Sequence, residues 1–337
     1  MRRKFTAAQR DLGADNPVVR AGAAADLPRH EAGHRDEVIE LLSSALQDDH
    51  AQVRGAAALA LADLSGLEAI HALRKAARDS APHVRQMALT AIGEIGDKSA
   101  LPEVKRSLQD ESAAVRFQAV IAFPRICEDP ETATVALLNA TRDDDDLVCH
   151  IALRMAEELG HASEVVDPRI ADRALEMLDH DSERVQLASA VILGRIGRLE
   201  GRDILLDAAR GVFRTGELDD EAAAIELCGE LQIHDAIDGL AARAFQRRLF
   251  HRDPLTWQAR VALARMGEAR AISWIERELS AWTRERRTLA VAAAGKAKLA
   301  SLKAKLEDMR DKPHLADSLA VAEALANLEA SDEPVEH

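Results

Sequence analysis

Residues Val84–Arg116 read VRQMALTAIGEIGDKSALPEVKRSLQDESAAVR, and the stretch closes on the same Val-Arg pair with which it opens. Behind Val84, the residues Ala88, Ala91 and Ile95 follow at offsets of four, seven and eleven. That spacing lays one apolar stripe on an α-helix and does not fit the two-residue alternation of a strand. Gly96 suits the left-handed residue that ends a helix, and Pro102 suits the first turn of the next. The stretch therefore reads as two helices joined by a turn, the second running from Leu101 to Leu108.

The same pattern recurs on both sides. It appears as Asp49–Val53–Arg54–Ala57, Ser80–Val84–Arg85–Ala88 and Glu111–Val115–Arg116–Ala119, and again as Asp145–Val148–His150–Ala152 and Asp181–Val185–Gln186–Ser189. The valine anchors lie 31, 31, 33 and 37 residues apart. A period in this range marks a solenoid, in which each unit buries its apolar face against its neighbours. Small residues at the second and third stripe positions let successive helices approach closely. The acidic residues Asp49, Glu111, Asp145 and Asp181 are expected to cap the first helix of each unit. Later units carry weaker anchors, at Ala224–Leu227–Leu231 and Leu255–Ala259–Ala262–Met266, and Leu315–Leu319–Ala322–Ala326 is expected to form a last, capping helix. The reading is all-α: a single α-solenoid, or α-α superhelix, of about nine or ten helix pairs over residues 1–330. Residues 1–14 cap it, 15–312 repeat, 313–330 close it, and 331–337 form a disordered acidic tail.

On these residues the chain resembles the HEAT-repeat family, in the short class found in phycobilisome-lyase-like HEAT proteins. The likeness is specific over residues 49–200 and looser outside. In that family an aspartate and an arginine stack as a ladder between successive units. The resemblance implies that Arg20, Arg54, Arg85 and Arg116 are structural, with His150 and Gln186 breaking the ladder. It also implies a role in binding a partner on a concave face lined by the second helices, without catalysis.

Composition agrees with a helical body of small apolar residues. The 337-residue chain has no tyrosine, and aromatics are 3% of it. It holds no apolar run of 18 residues, so no membrane span is expected. Met1-Arg2-Arg3-Lys4-Phe5 is not followed by an apolar stretch, so a secretory signal is not expected. Cys127, Cys149 and Cys228 are odd in number and lack CxxC spacing, which suits small buried thiols in the reducing cytoplasm.

The net charge of −14 is unevenly placed: residues 1–239 carry −17, residues 240–312 carry +9, and residues 313–337 carry −6. The basic block contains all three tryptophans, Trp257, Trp274 and Trp282. Tryptophan and arginine dominate binding hot spots. A partner segment is therefore expected to lie across Arg243, Arg247, Trp274, Arg277 and Arg284, its acidic groups on guanidinium forks and its apolar groups on the indole. Ile275, Leu279 and Trp282 follow helical spacing, so Trp282 is read as core, whereas the stripe does not explain Trp274.

Other motifs argue against chemistry. His30-Glu31-Ala32-Gly33-His34 matches HExxH, but Gly33 lies inside it and Pro28 just ahead, in what the repeat alignment makes a turn, so two histidines on one helix face are not expected. HEAT-repeat deoxyhypusine hydroxylases need several His-Glu pairs on successive repeats, and this chain has one. Asp143-Asp144-Asp145-Asp146 lacks the glycine and distal glutamate of a calcium loop. No phosphate loop, dinucleotide motif or nucleophile elbow is present, and no cofactor is expected. Two alternatives stay open. One is nucleic-acid binding, as in HEAT-like DNA glycosylases, which the overall acidity opposes. The other is an accessory role of the bilin-lyase type.

Overall fold

The computed structural model describes residues 4–64, 67–163, 166–213, 216–246 and 253–329, the side chains at 161–163 excepted. Arg247 and the expected tail at 331–337 lie outside them. All regular structure among the described residues is helical, and no helix there is long and apolar enough to cross a membrane.

The chain divides into two compact units, Met1–Arg173 and Ala174–His337. The first holds α1 (Phe5–Asp11), α2 (Pro17–Asp26), α3 (Glu31–Ala45), α4 (Ala51–Asp63), α5 (Ile70–Ala76), α6 (Pro82–Ile95), α7 (Leu101–Ser107), α8 (Ala113–Ile126), α9 (Pro130–Ala140) and α10 (Asp146–Ser163). Next comes α11 (Pro168–Glu176), which carries the chain past the boundary. The second unit continues with α12 (Glu183–Arg195), α13 (Arg202–Arg210), α14 (Leu218–Glu230), α15 (Ile237–Phe245), α16 (Thr256–Arg265), α17 (Ala269–Glu278), α18 (Arg284–Lys296), α19 (Lys303–Arg310) and α20 (Ser318–Glu329). Among the described residues these make nine helix pairs, α2–α3 through α18–α19, preceded by α1 and followed by α20. The fold is an α-solenoid.

The apolar stripes pack as their spacing dictates. Ala57, Ala60, Ala88, Ala91, Ala119 and Ala122 are all buried. Within the first unit α2, α4, α6, α8 and α10 pack each on the next. Small side chains bring the backbones close. A Cβ added at Gly93 of α6 would lie 3.1 Å from the Ala122 Cβ of α8. At Gly295 of α18 it would lie 2.5 Å from the Ala324 Cα of α20, so that crossing admits glycine alone. Gly96 ends α6 at φ 74°, and Pro102 opens α7.

A ladder of arginines ties successive repeats of the first unit. Arg54 donates to both carboxylate oxygens of Asp79, at 2.7 and 2.8 Å, and to the Asp48 carbonyl six residues behind it, at 2.8 Å. Arg20 grips Asp48 and the Ala14 carbonyl, Arg85 grips Asp110 and the Asp79 carbonyl, and Arg116 grips Asp143 and the Asp110 carbonyl. Each aspartate also accepts the backbone N–H two residues on, at His50, Ala81, Ser112 and Asp145. One carboxylate thus joins two repeats and shapes the entry to the first helix. Arg20 bonding holds the Asp48 carboxyl down at about 2. Burial pushes Asp79, Asp110 and Asp143 up, but the arginine bonds, the backbone N–H bonds and the arginine charge together outweigh it and hold all three below the usual carboxylate range.

Four expectations need correction here. The ladder carboxylates are Asp48, Asp79, Asp110 and Asp143; Asp48 and Asp110 lie one residue before the expected caps Asp49 and Glu111, and Asp143 lies two before Asp145. Asp49 and Glu111 point back to accept from Arg20 and Arg85, and only Asp145 of the four expected caps bonds a helix-opening N–H, at Leu147 and Val148. The residue at the arginine position of the fifth repeat is Cys149, six residues after Asp143, and not His150. Its thiol donates to the Asp143 carbonyl at 3.0 Å, and burial pushes it up to about 11. Gln186 keeps part of the role expected to be lost there, donating to the His180 carbonyl six residues back at 2.5 Å. Finally, α20 buries Val321, Ala324, Leu325 and Leu328, whereas Leu319 of the expected stripe is 68% exposed.

The HExxH residues lie across a break. Gly33 sits at φ 96° and its neighbours are non-helical, so the two histidines do not share one helix face. Instead they flank Phe5, His34 stacked at 4.1 Å and His30 edge-on at 5.9 Å between ring centroids.

Candidate functional site

The described residues of the basic, aromatic block fall in the second unit, on α15 to α18 and beside their ends. It separates into arginines fixed inside the fold and arginines left at its surface.

Arg243, at the end of α15, belongs to the first kind. Its side chain is 8% exposed, bonded to Asp253 at 2.9 Å, beside Glu221 at 3.5 Å, and donating to the Ala208 carbonyl at 2.9 Å. The expectation of a partner contact there is corrected: this guanidinium ties α13 and α14 to the start of α16. Arg287 is a second internal arginine. It reaches the carbonyls of Ala281 and Trp282, six and five residues back, and those of His314 and Leu315 in the next repeat. This is the ladder geometry of Arg54, with two carbonyls replacing the aspartate.

The second kind lies on α17. Ala271, Ile275 and Glu278 face inward, and Trp274, beside them, is half-buried against the core. Arg260 of α16 lies over the Trp274 ring, its guanidinium carbon 4.4 Å from the centroid, and donates to the Ala244 carbonyl. Phe245 extends the stack, with Arg260 at 5.5 Å and Arg270 at 4.1 Å from its ring centre. Arg270 and Arg277, seven residues apart and so on one face of α17, are both exposed, and neither has an ion pair among the described residues. Trp274 sits between them. Cations held over aromatic faces gain from the ring quadrupole and keep their charge available. Arg284 is also exposed, but it is shared between Asp317 at 3.3 Å and the Pro313 carbonyl at 2.9 Å.

Two tryptophans depart from or refine their expected places. Trp257 is half-buried against the core, with Lys296 5.6 Å from its ring. Trp282 is not core; it is 94% exposed. The stripe through Ile275 and Leu279 stops because α17 ends at Glu278, capped by Leu279, so the next helical position never forms. Arg270 went unread in the sequence because it precedes the anchor stripe. The seven-residue spacing to Arg277 was the signal that could have found it.

Between α16 and α18 lies a groove of about 390 Å³, lined among others by Glu226, Glu230, Arg265, Lys296 and Lys298. Two of its cations are paired with its carboxylates, Arg265 with Glu230 at 3.0 Å and Lys296 with Glu226 at 3.3 Å.

The model of HEAT repeats matches residues 8–85 and 70–156. Residues 8–156 carry HEAT repeats. The Escherichia coli protein YibA is similar in structure, with a TM-score of 0.54 at 19% identity, over 77% of this chain and 92% of that one. The complex of CpcE and CpcF of phycocyanin lyase from Nostoc sp. matches at a TM-score of 0.45 and 17% identity, over 71% of this chain and 93% of that one. An engineered protein matches at 0.42 and 16%, over 96% and 98%. These likenesses concern the fold alone. No curated protein matches the chain in sequence. The matched HEAT repeats cover the ladder of the first unit; the basic, aromatic block lies beyond them.

Proposed function

We propose that this HEAT-repeat chain is a non-catalytic cytoplasmic scaffold that binds an acidic segment of a protein partner along α17. The observation that carries the reading is the pair of exposed arginines, Arg270 and Arg277, set two turns apart with Trp274 between them and no ion pair among the described residues. Paired carboxylates on an extended or helical partner segment would meet both forks, and its apolar side chains would lie on the exposed part of the indole. Arg284 extends the same basic surface at the start of α18. Arg247 remains a proposed contact on the same block.

The balance of charge favours a protein over a nucleic acid. A phosphate backbone selects for a dominant basic footprint, whereas this chain is −14 overall with a local +9. The test is affinity purification from native lysate, with and without nuclease, comparing wild type with Arg270→Glu/Arg277→Glu. A nuclease-resistant protein partner lost in the double variant supports the reading. Nuclease-sensitive retention, or an unchanged protein partner, overturns it.

A further inference from the structure

Residues 1–239 carry −17, yet one face of the first unit is strongly basic. It is built by the second helices α5 and α7 and by Arg78 just past α5. The last turn of α5 holds Arg74 and Lys75, and that of α7 holds Lys105 and Arg106. Of the other second helices, α3 and α9 hold no cation there, and α11, α13, α15, α17 and α19 hold one each. A helix C-terminus favours a nearby cation, which accounts for one per helix and not for two. Arg74 and Lys105 lie 31 residues apart, as do Lys75 and Arg106, so like charge follows like at the repeat period. The ladder of first helices does the opposite and sets each arginine against an aspartate.

A buried carboxylate organises the cluster. Glu103 of α7, its side chain 4% exposed, accepts from Arg74 Nε at 3.0 Å and from an Arg78 amino group at 2.8 Å. Arg106, one turn along α7 from Glu103, donates to the Ala77 carbonyl at 3.3 Å, which brings a third guanidinium to the residue beside Arg78. Arg78 and Arg106 are exposed, and each bonds through a single amino nitrogen, leaving the rest of its fork to solvent. Lys75 and Lys105 are exposed and have no ion pair among the described residues. The remaining carboxylates of these two repeats' turns do not balance the face. Arg54 and Arg85 take Asp79 and Asp110, Asp97 accepts from the Ser99 N–H, and Glu68 precedes α5, at the opposite end from these cations. Five cations thus surround one carboxylate, and their mutual repulsion is relieved by a bound anion.

We propose that the face of α5 and α7 is a site for a doubly charged oxyanion, a phosphate either free or as a monoester, gripped by Arg78 and Arg106 with Lys75 and Lys105 beside them. Glu103 holds Arg74 and Arg78 in place beneath it. Guanidinium forks match the oxygens of a phosphate, and an excess of several positive charges favours two negative charges over one. The site lies in the first unit and does not depend on the α17 reading.

Equilibrium dialysis of the full chain against radiolabelled inorganic phosphate, at pH 8 and constant ionic strength, tests it. Binding is expected to saturate and to resist chloride. Dimethyl phosphate, with one charge, should compete at least about tenfold more weakly than phosphate. Arg78→Gln/Arg106→Gln should weaken binding about 100-fold, roughly tenfold for each fork lost. Arg78→Lys/Arg106→Lys keeps the charge without the fork and should fall between the two. Unchanged thermal unfolding of these variants separates loss of contact from loss of fold, and Arg270→Glu/Arg277→Glu should bind phosphate as wild type does. Displacement by phenyl phosphate supports the site and assigns it a monoester; displacement by inorganic phosphate alone supports it and assigns the free ion. Binding that does not saturate, that chloride displaces equally, or that survives Arg78→Gln/Arg106→Gln overturns the proposal.

Discussion

The two units solve one stacking problem with different chemistry. In the first, each ladder arginine meets an aspartate one repeat on, and the exposed carboxylates Asp49 and Glu111 also turn back into the ladder. In the second, Arg287 meets two carbonyls, Arg243 pairs with Asp253 only ten residues ahead, and Arg270 and Arg277 meet no ion-pair partner among the described residues. Along the ladder, regular pairing leaves little charge free for anything else. Where the pairing lapses, cations and an indole reach the surface.

The comparison breaks most sharply at Arg85, whose side chain is almost wholly buried between Asp110 and two carbonyls. Arg85→Ala strands the Asp110 carboxylate and should cost about 3–5 kcal/mol. All three tryptophans lie in the second unit, so circular dichroism should show an early transition that tryptophan fluorescence does not follow. Coincident early transitions by both probes would mean that the two units melt as one. Gly295→Val is the matching insult to the second unit. Its side chain has no room against Ala324, the expected cost is about 1–3 kcal/mol, and here fluorescence should report the loss.

Acid sharpens the contrast more gently. The ladder carboxyls titrate below their ordinary value of about 4 in the fold, so the stability they lend is complete above that pH. It falls as pH drops through the lowered values, towards the 2 or so of Asp48. A pH series from 5 to 2 followed by both probes should therefore show the first unit weakening before the tryptophan signal moves. The smallest effect is expected at Trp282: its replacement by alanine should alter stability by no more than about 0.5 kcal/mol in urea melts, since the indole touches solvent.

Most of the fold was legible because a repeat states its own rule several times over. Val84 to Arg116 shows the stripe, the Gly96 turn and the Pro102 start, and the structure follows all three. The site was less legible, since it lies where the rule lapses. Trp282 looked like core because helical spacing was carried past the end of α17, which no residue between Leu279 and Trp282 announces. Arg243 looked free because its partner Asp253 is off the repeat period. Arg287 escaped notice because Ala281 stands where a ladder aspartate would be, and only the backbone shows that carbonyls take over. His150 was placed in the ladder by one residue of slippage, and the Asp143-to-Cys149 interval corrects it.

The ladder also governs how such a chain can lengthen or shorten. Each arginine looks back six residues for a carbonyl and forward to the next repeat for a carboxylate, so its needs are local to one junction. Excising residues 80–110 would set Asp79 six positions ahead of Arg116, and Arg54 would still find the same aspartate. A deletion of half that length would orphan the charges on both sides of the cut. Gene duplication and loss can therefore alter the ladder only in whole modules.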